Sequence, residues 1–224
     1  MGQKILVCGG LGYLGSIITD LLSKKKNDVD VYDICLWDNE CIVKDIGCHI
    51  FYKKVEPNGY DVIVWCATID SFDFWNSKSK FVENYKIKTL DFIKKIDCGK
   101  IFYCQPPYIE NMDIYKEIFD IFEKKKMCFI KFPSLYGPSP RMRWDMIPNK
   151  FLFDFLTTSA TILEEPLKRI PICSVLDAAK FVIFQIEALN TVSCIAQSYT
   201  QCLATEYYSS IEMATIIKNL MPNP

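Results

Sequence analysis

Short apolar runs recur along the chain with longer mixed stretches between them. Lys4-Ile5-Leu6-Val7-Cys8, Val29–Asp33, Cys48–Tyr52, Asp61–Ala67, Lys100–Cys104 and Cys128–Phe132 are each of strand length, separated by polar or helical stretches. That rhythm is the one of a parallel sheet. Between them apolar positions recur at helical spacing: Phe81, Tyr85, Ile87, Leu90 and Ile93 fall among lysines over about Asn76–Ile96, and a second such segment covers about Asn111–Lys126. The alternation predicts an α/β fold, a Rossmann-like doubly wound parallel sheet of six strands. From about Met142 the pattern changes to short helical stretches around an Arg169–Val175 strand. Residues 1–140 are therefore expected to form the sheet domain. Residues 141–224 are expected to form a small, reduced substrate lobe packed over the carboxyl ends of its strands.

The first strand breaks into Gly9-Gly10-Leu11-Gly12-Tyr13-Leu14-Gly15-Ser16 before a helix resumes. Gly9, Gly12 and Gly15 remove side chains where a backbone must turn, approach a pyrophosphate and pack a helix on a strand. The free amides of the helix start then face the phosphates. Such a glycine triplet needs an acidic residue at the end of the next strand to hold a ribose, and Val29-Asp30-Val31-Tyr32-Asp33 supplies Asp33. A carboxylate there accepts from ribose hydroxyls and repels a 2′-phosphate, and no Lys or Arg follows before Lys44. The expected cofactor is NAD rather than NADP.

Composition narrows the partners. In 224 residues, 26 basic side chains stand against 27 acidic ones, which argues against a nucleic-acid or anionic-membrane surface. The Lys24–Lys26 and Lys124–Lys126 runs fall at predicted helix ends, where cations complement the dipole. The eleven cysteines lack a CxxC pair, and Cys8, Cys66, Cys104, Cys128 and Cys173 read as small buried hydrophobes. Together with the lack of a signal segment or bilayer-length apolar run, they fit a reducing, cytoplasmic setting. His49 is the single histidine, so histidine triads and histidine-rich metal sites are not expected.

These segments resemble the extended short-chain dehydrogenase/reductases, and within them the NAD-dependent nucleotide-sugar epimerases and dehydratases. The glycine segment is similar to that family's glycine motif, and Asp61–Ala67 to its cofactor-lining fourth strand. Tyr136-Gly137-Pro138-Ser139-Pro140-Arg141-Met142-Arg143-Trp144-Asp145 with Asn149 resembles a segment of one sugar-nucleotide subgroup. Arg169–Ala179 resembles a further family element, with Ser174 where a histidine is usual, and Tyr208–Ala214 resembles the closing helix. The resemblance implies Gly9, Gly12, Tyr13, Leu14, Gly15, Asp33, Cys66, Ala67 and Asn84 at the cofactor. It implies Arg141, Arg143, Asn149 and Arg169 at a nucleotide sugar, and a homodimer through the Asn76–Ile96 and Asn111–Lys126 helices. The arginine forks suit a diphosphate, but equally suit ion pairs with Asp145, Asp154, Glu164 or Glu165. Trp144 either lines the sugar or base, or simply packs.

The chain departs from that family at the chemistry. The resembled enzymes use a Tyr followed four residues later by Lys, and none of the twelve tyrosines here has that partner. Lowering a phenol from about 10 to about 7 takes roughly 4 kcal/mol, normally contributed by that lysine. The family's Ser or Thr after the fifth strand is replaced by Tyr103-Cys104-Gln105-Pro106-Pro107-Tyr108, and Lys53-Lys54-Val55-Glu56 stands where an adenine-contacting pair is expected. Two readings follow. One is an NAD-dependent epimerase, dehydratase or reductase with an unusual proton donor, Tyr108 or Tyr115, beside Lys116. The other is a protein that binds NAD and a nucleotide sugar without turnover, as a sensor or regulatory partner.

Overall fold

The computed structural model describes residues 2–33, 47–50, 58–68, 80–105, 116–118, 120–121, 127–163, 165–189, 198–201 and 206–221. Strands β1 (Lys4–Cys8), β2 (Asp28–Asp33), β3 (Gly47–Ile50), β4 (Val62–Trp65), β5 (Ile101–Gln105) and β6 (Cys128–Lys131) alternate with helices α1 (Tyr13–Lys24) and α2 (Lys80–Lys95). Residues 116–118 and 120–121 are helical as well. Next come β7 (Ser134–Tyr136), α3 (Asn149–Thr158), β8 (Arg169–Ser174), α4 (Val175–Leu189), β9 (Ser198–Gln201), β10 (Glu206–Ser209) and α5 (Ser210–Leu220).

Among the described residues, seven strands pair in the order β3-β2-β1-β4-β5-β6-β9, and every neighbouring pair is parallel. This is the doubly wound sheet expected from the alternation, extended at one edge by β9. The first crossover runs from β1 to β2 and a later one returns β4 to the other side of β1. The chain therefore reverses its winding between β1 and β4, where such folds open a crevice beyond the strand ends.

Successive side chains of a strand face opposite ways, and β1 shows the result. Ile5 and Val7 enter a core with Ile17, Ile18 and Leu22 of α1 and Ala178, Val182 and Ile186 of α4. Leu6 and Cys8 enter a core on the other face with Leu90, Phe92 and Ile93 of α2. Both faces are covered at the sheet centre, so β1 and β4 carry no polar alternation, whereas β2 alternates Asp28 and Asp30 with Val29 and Val31. Each large aliphatic of α1 buried this way contributes roughly 1.5–3 kcal/mol, far more than helix propensity supplies.

A second, three-stranded sheet orders β10-β8-β7, with β10 antiparallel and β7 parallel to β8. With α3 and α5 it encloses a small core of Phe151, Ile172, Met213 and Ala214. The chain passes between the two sheets more than once, since β7 precedes residue 140 and β9 follows it. The strand expected over Arg169–Val175 ends at Ser174, and Val175 opens α4. The expected start of the Asn76–Ile96 helix lies outside the described residues, and its described part runs from Lys80.

Candidate functional site

The turn after β1 is built by steric exclusion. Gly9 has φ +77, and a Cβ there would lie 2.6 Å from the Ala67 backbone nitrogen. A Cβ on Gly15 would stand 2.1 Å from the Gly9 carbonyl oxygen, so α1 can sit this close to the loop only with glycine at that position. Gly12 N–H donates to Gly9 O at 3.0 Å and closes the turn. Gly12 then caps α1 with no side-chain hydrogen bond and no acidic residue in the first turn. A helix start in that state presents amides and partial positive charge to whatever lies before it.

Asp33 reaches this loop. Its Oδ2 accepts a hydrogen bond from Leu11 N–H at 2.9 Å, which places the carboxylate at the end of β2 beside the glycine turn. On the other side, Cys66 N–H donates to Cys8 O at 2.7 Å, so the β4 extension runs along the same turn. Ala67 packs into the α2-side core. Asn84 lies exposed on α2 and is not among the residues lining the cleft described next.

A cleft of about 170 Å³ opens over the carboxyl ends of the central strands. Gly12, Tyr13, Leu14 and Gly15 form one wall, Cys66, Thr68, Cys104 and Phe132 the strand-end floor, and Arg141, Arg143 and Met146 the opposite wall. Thr68, Phe132 and Met146 carry no motif and escaped sequence reasoning. For Thr68 and Phe132 the only signal is a position one to three residues past a strand end.

The two walls are tied by hydrogen bonds from α1 to the 137–149 segment. Tyr13 Oη donates to Gly137 O at 2.6 Å and accepts from Asn149 Nδ2 at 2.9 Å. Asn149 Nδ2 also donates to Arg143 O at 3.0 Å, while its Oδ1 accepts from Gly137 N–H at 3.0 Å. Ser139 Oγ adds a bond to Tyr13 O at 2.7 Å and lies 3.1 Å from Ser16 Oγ. Asn149 is buried, and both amide hydrogens and the amide oxygen serve this tie. Burial pushes the Tyr13 phenol upward, although the Asn149 hydrogen bond and the Arg143 charge oppose it.

The arginines differ. Arg143 forms a two-pronged pair with Asp145, at 2.7 Å from Nε to Oδ1 and 2.6 Å from Nη2 to Oδ2, and this holds the Asp145 carboxyl below the usual range. Arg169 donates to Tyr207 O at 2.6 Å and stands 3.9 Å from Glu212, among residues that do not line the cleft. Arg141 lines the cleft, and its Nε is buried with no hydrogen-bond partner among the described residues. Trp144 is partly exposed and tilts against Phe153 at 5.6 Å between ring centres. Tyr108, Tyr115 and the Lys53–Glu56 segment lie outside the described residues.

Of the expected buried thiols, Cys8, Cys104, Cys128 and Cys173 are buried, whereas Cys66 is half-buried at the cleft. All are free. Among the described residues no group of three or more His, Cys, Asp or Glu side chains is arranged to hold a metal ion. No described helix is long and apolar enough to cross a membrane.

A glycine turn beneath a helix start, an acid closing the second strand and a cleft at the winding reversal define a Rossmann-type fold. Solved structures of similar fold include NAD-dependent nucleotide-sugar epimerases and dehydratases. An NAD-dependent NDP-hexosamine 5,6-dehydratase of tunicamycin biosynthesis superposes with a TM-score of 0.74 at 12% identity, over 97% of this chain and 80% of that one. A UDP-N-acetylglucosamine 4-epimerase from Bacillus cereus gives 0.68 at 18% identity, over 97% and 81%. The UDP-glucose 4-epimerase of Thermus thermophilus, in complex with NAD, gives 0.64 at 14% identity, over 96% and 82%. At these identities the likeness is one of fold. No protein-family model matches the sequence.

Proposed function

We propose that this protein binds NAD at the glycine turn and a nucleotide sugar in the adjoining cleft. The observation that carries the first half is the meeting of Asp33 with the Leu11 amide beside an uncapped α1. In that arrangement Gly9, Gly12, Leu14 and Gly15 accommodate the pyrophosphate against the helix start, and Asp33 takes the adenosine ribose. Cys66 and Ala67 border the dinucleotide from the β4 side. When bound, the nicotinamide supplies a hydride acceptor or donor to a sugar carbon.

The sugar nucleotide is assigned on Arg141. A buried guanidinium nitrogen without a partner costs on the order of 1–3 kcal/mol, and a diphosphate oxygen in the cleft would satisfy it. Arg143, held by Asp145, contributes a second cation on the same wall. Asn149 acts in this reading by fixing the Arg143 backbone. Arg169 and Asn84 remain assigned only by resemblance, as does the homodimer through α2 and the following helix.

Turnover and binding without turnover are separate readings, and one observation favours the second. Among the described residues the phenol lining the cleft is Tyr13, whose proton is held by Gly137 O and whose ionisation burial opposes. It is poorly placed as a general acid or base. The deciding experiment is calorimetry with NAD and NADP, followed by incubation with NAD and a panel of UDP-, dTDP- and GDP-sugars. NAD is expected to bind more tightly than NADP, and Arg141→Ala is expected to abolish sugar-nucleotide binding while leaving NAD binding intact. Product formation would establish an enzyme, and its loss in Tyr108→Phe or Tyr115→Phe would name the proton donor. Absence of NAD binding by folded protein would defeat the proposal.

A further inference from the structure

We propose that Cys66 and Cys104 form a redox-modification site, a dithiol that a hydroperoxide converts reversibly to an intramolecular disulfide across the floor of the cleft. The inference goes beyond the binding roles above and does not depend on them.

The sheet register brings the two residues together. The parallel pairing of β4 with β5 ends with Trp65 opposite Tyr103, and Cys66, one residue past the end of β4 and still bonded to Cys8 O, continues that line beside Cys104 of β5. Alternation puts them on one face: Trp65 and Tyr103 enter the α2-side core, while Cys104 enters the opposite core and Cys66 packs against it. Neighbouring strands lie about 4.7–4.9 Å apart, inside the roughly 4.4–6.8 Å between Cα atoms that a disulfide spans. The Cys66 side chain is the largest influence raising the Cys104 thiol, ahead of burial, as expected of two neighbouring sulfurs. Both line the cleft, and both are free.

Their exposures divide the work. Cys66 is half-buried at the cleft and reachable by a small oxidant, whereas Cys104 is only 3% exposed and sits behind it. In the first step the Cys66 thiolate attacks a peroxide oxygen, the O–O bond breaks, and Cys66 sulfenic acid and hydroxide form. In the second, the Cys104 sulfur displaces the sulfenic oxygen, forming the S–S bond as water leaves with the Cys104 proton. Sulfur is oxidised and peroxide reduced, two electrons in all. A small dithiol reverses the change by exchange. The Cys66 side chain first, and burial second, disfavour the Cys104 thiolate, but the adjacency of the two sulfurs compensates by effective concentration. Cys128 gives an internal control. It lies on the same face, opposite Phe102, but is buried and does not line the cleft.

The test treats the full chain with hydrogen peroxide, alkylates the remaining thiols under denaturing conditions and maps the peptides without reduction. A peptide joined through Cys66 and Cys104, lost on treatment with dithiothreitol, is expected. In Cys104→Ser the cross-link is lost and Cys66 is trapped as a sulfenic acid by dimedone. In Cys66→Ser the cross-link is lost and Cys104 is recovered as a thiol. Should either variant fail to fold, the wild-type map alone decides. Recovery of both cysteines as alkylated thiols, or a cross-link from Cys104 to Cys128, overturns the proposal.

Discussion

Asp33 illustrates how much depends on one side chain. Its Oδ2 is already engaged by the Leu11 amide, so the carboxylate is oriented before any ligand arrives. Asp33→Asn is expected to weaken NAD binding by about 1.5–3 kcal/mol, the range for hydrogen bonds to a charged group. The same change is expected to narrow the preference over NADP, because the repulsion of a 2′-phosphate disappears. Paired calorimetric titrations with the two cofactors check both outcomes. Gly15 depends on space rather than charge. A methyl group 2.1 Å from the Gly9 oxygen forces α1 off the turn, so Gly15→Ala is expected to lower the melting temperature and abolish NAD binding together. A variant that binds NAD normally would show that the loop and helix part without cost.

Between elements, the contact that matters most is the tie from α1 to the segment leading into α3. Tyr13, Asn149 and Gly137 share one hydrogen-bonded cluster, and Asn149 also holds the Arg143 backbone. Tyr13→Phe and Asn149→Ala should each destabilise the fold by roughly 1–3 kcal/mol, since each leaves a buried partner unsatisfied. Because they remove one cluster, the double variant is expected to lose about 0.5–3 kcal/mol less than the two losses added. Urea unfolding of the four proteins measures that coupling. The closing helix α5 carries a different kind of start, a capping box. Glu212 accepts from Ser209 N–H at 2.7 Å, and the Ser209 hydroxyl accepts from Glu212 N–H at 3.3 Å. The backbone bond first, and the Ser209 hydroxyl second, hold the Glu212 carboxyl below its ordinary value. A depressed carboxyl stabilises the folded state above its unfolded pKa, and that contribution fades as pH falls from about 4.3 through the lower folded value. Glu212→Gln is expected to flatten the acid limb of the stability profile, which melting curves between roughly pH 6 and 3 will show.

At the scale of the molecule, a ligand that binds only the folded state stabilises it by mass action. NAD at about a hundred times its dissociation constant is expected to add about 2.7 kcal/mol. A thermal shift with NAD that Gly15→Ala abolishes would connect whole-chain stability to the single turn. The Arg141→Ala variant should keep that shift. Its loss would mean that the two walls of the cleft are one cooperative unit rather than separate cofactor and sugar sites.

The strands at the sheet centre were legible because burial on both faces leaves continuous apolar runs such as Ile5–Cys8 and Val62–Trp65. The glycine turn and Asp33 were legible because sterics and charge restrict those positions to few residue types. Strands β7, β9 and β10 were not, since three or four residues carry too little periodic signal and two of them belong to a sheet assembled from distant segments. Sequence also left open whether each arginine meets a ligand or a carboxylate. Tertiary structure divides them: Arg143 is paired with Asp145, Arg169 is held at β10, and Arg141 faces the cleft with a buried nitrogen unmatched. Local sterics and hydrophobic patterning act within a few residues and can be read in order along a chain. Which side chains meet across a cleft is set by strand order and packing, which join Tyr13 to Asn149 and Cys66 to Cys104 across stretches that no local rule spans.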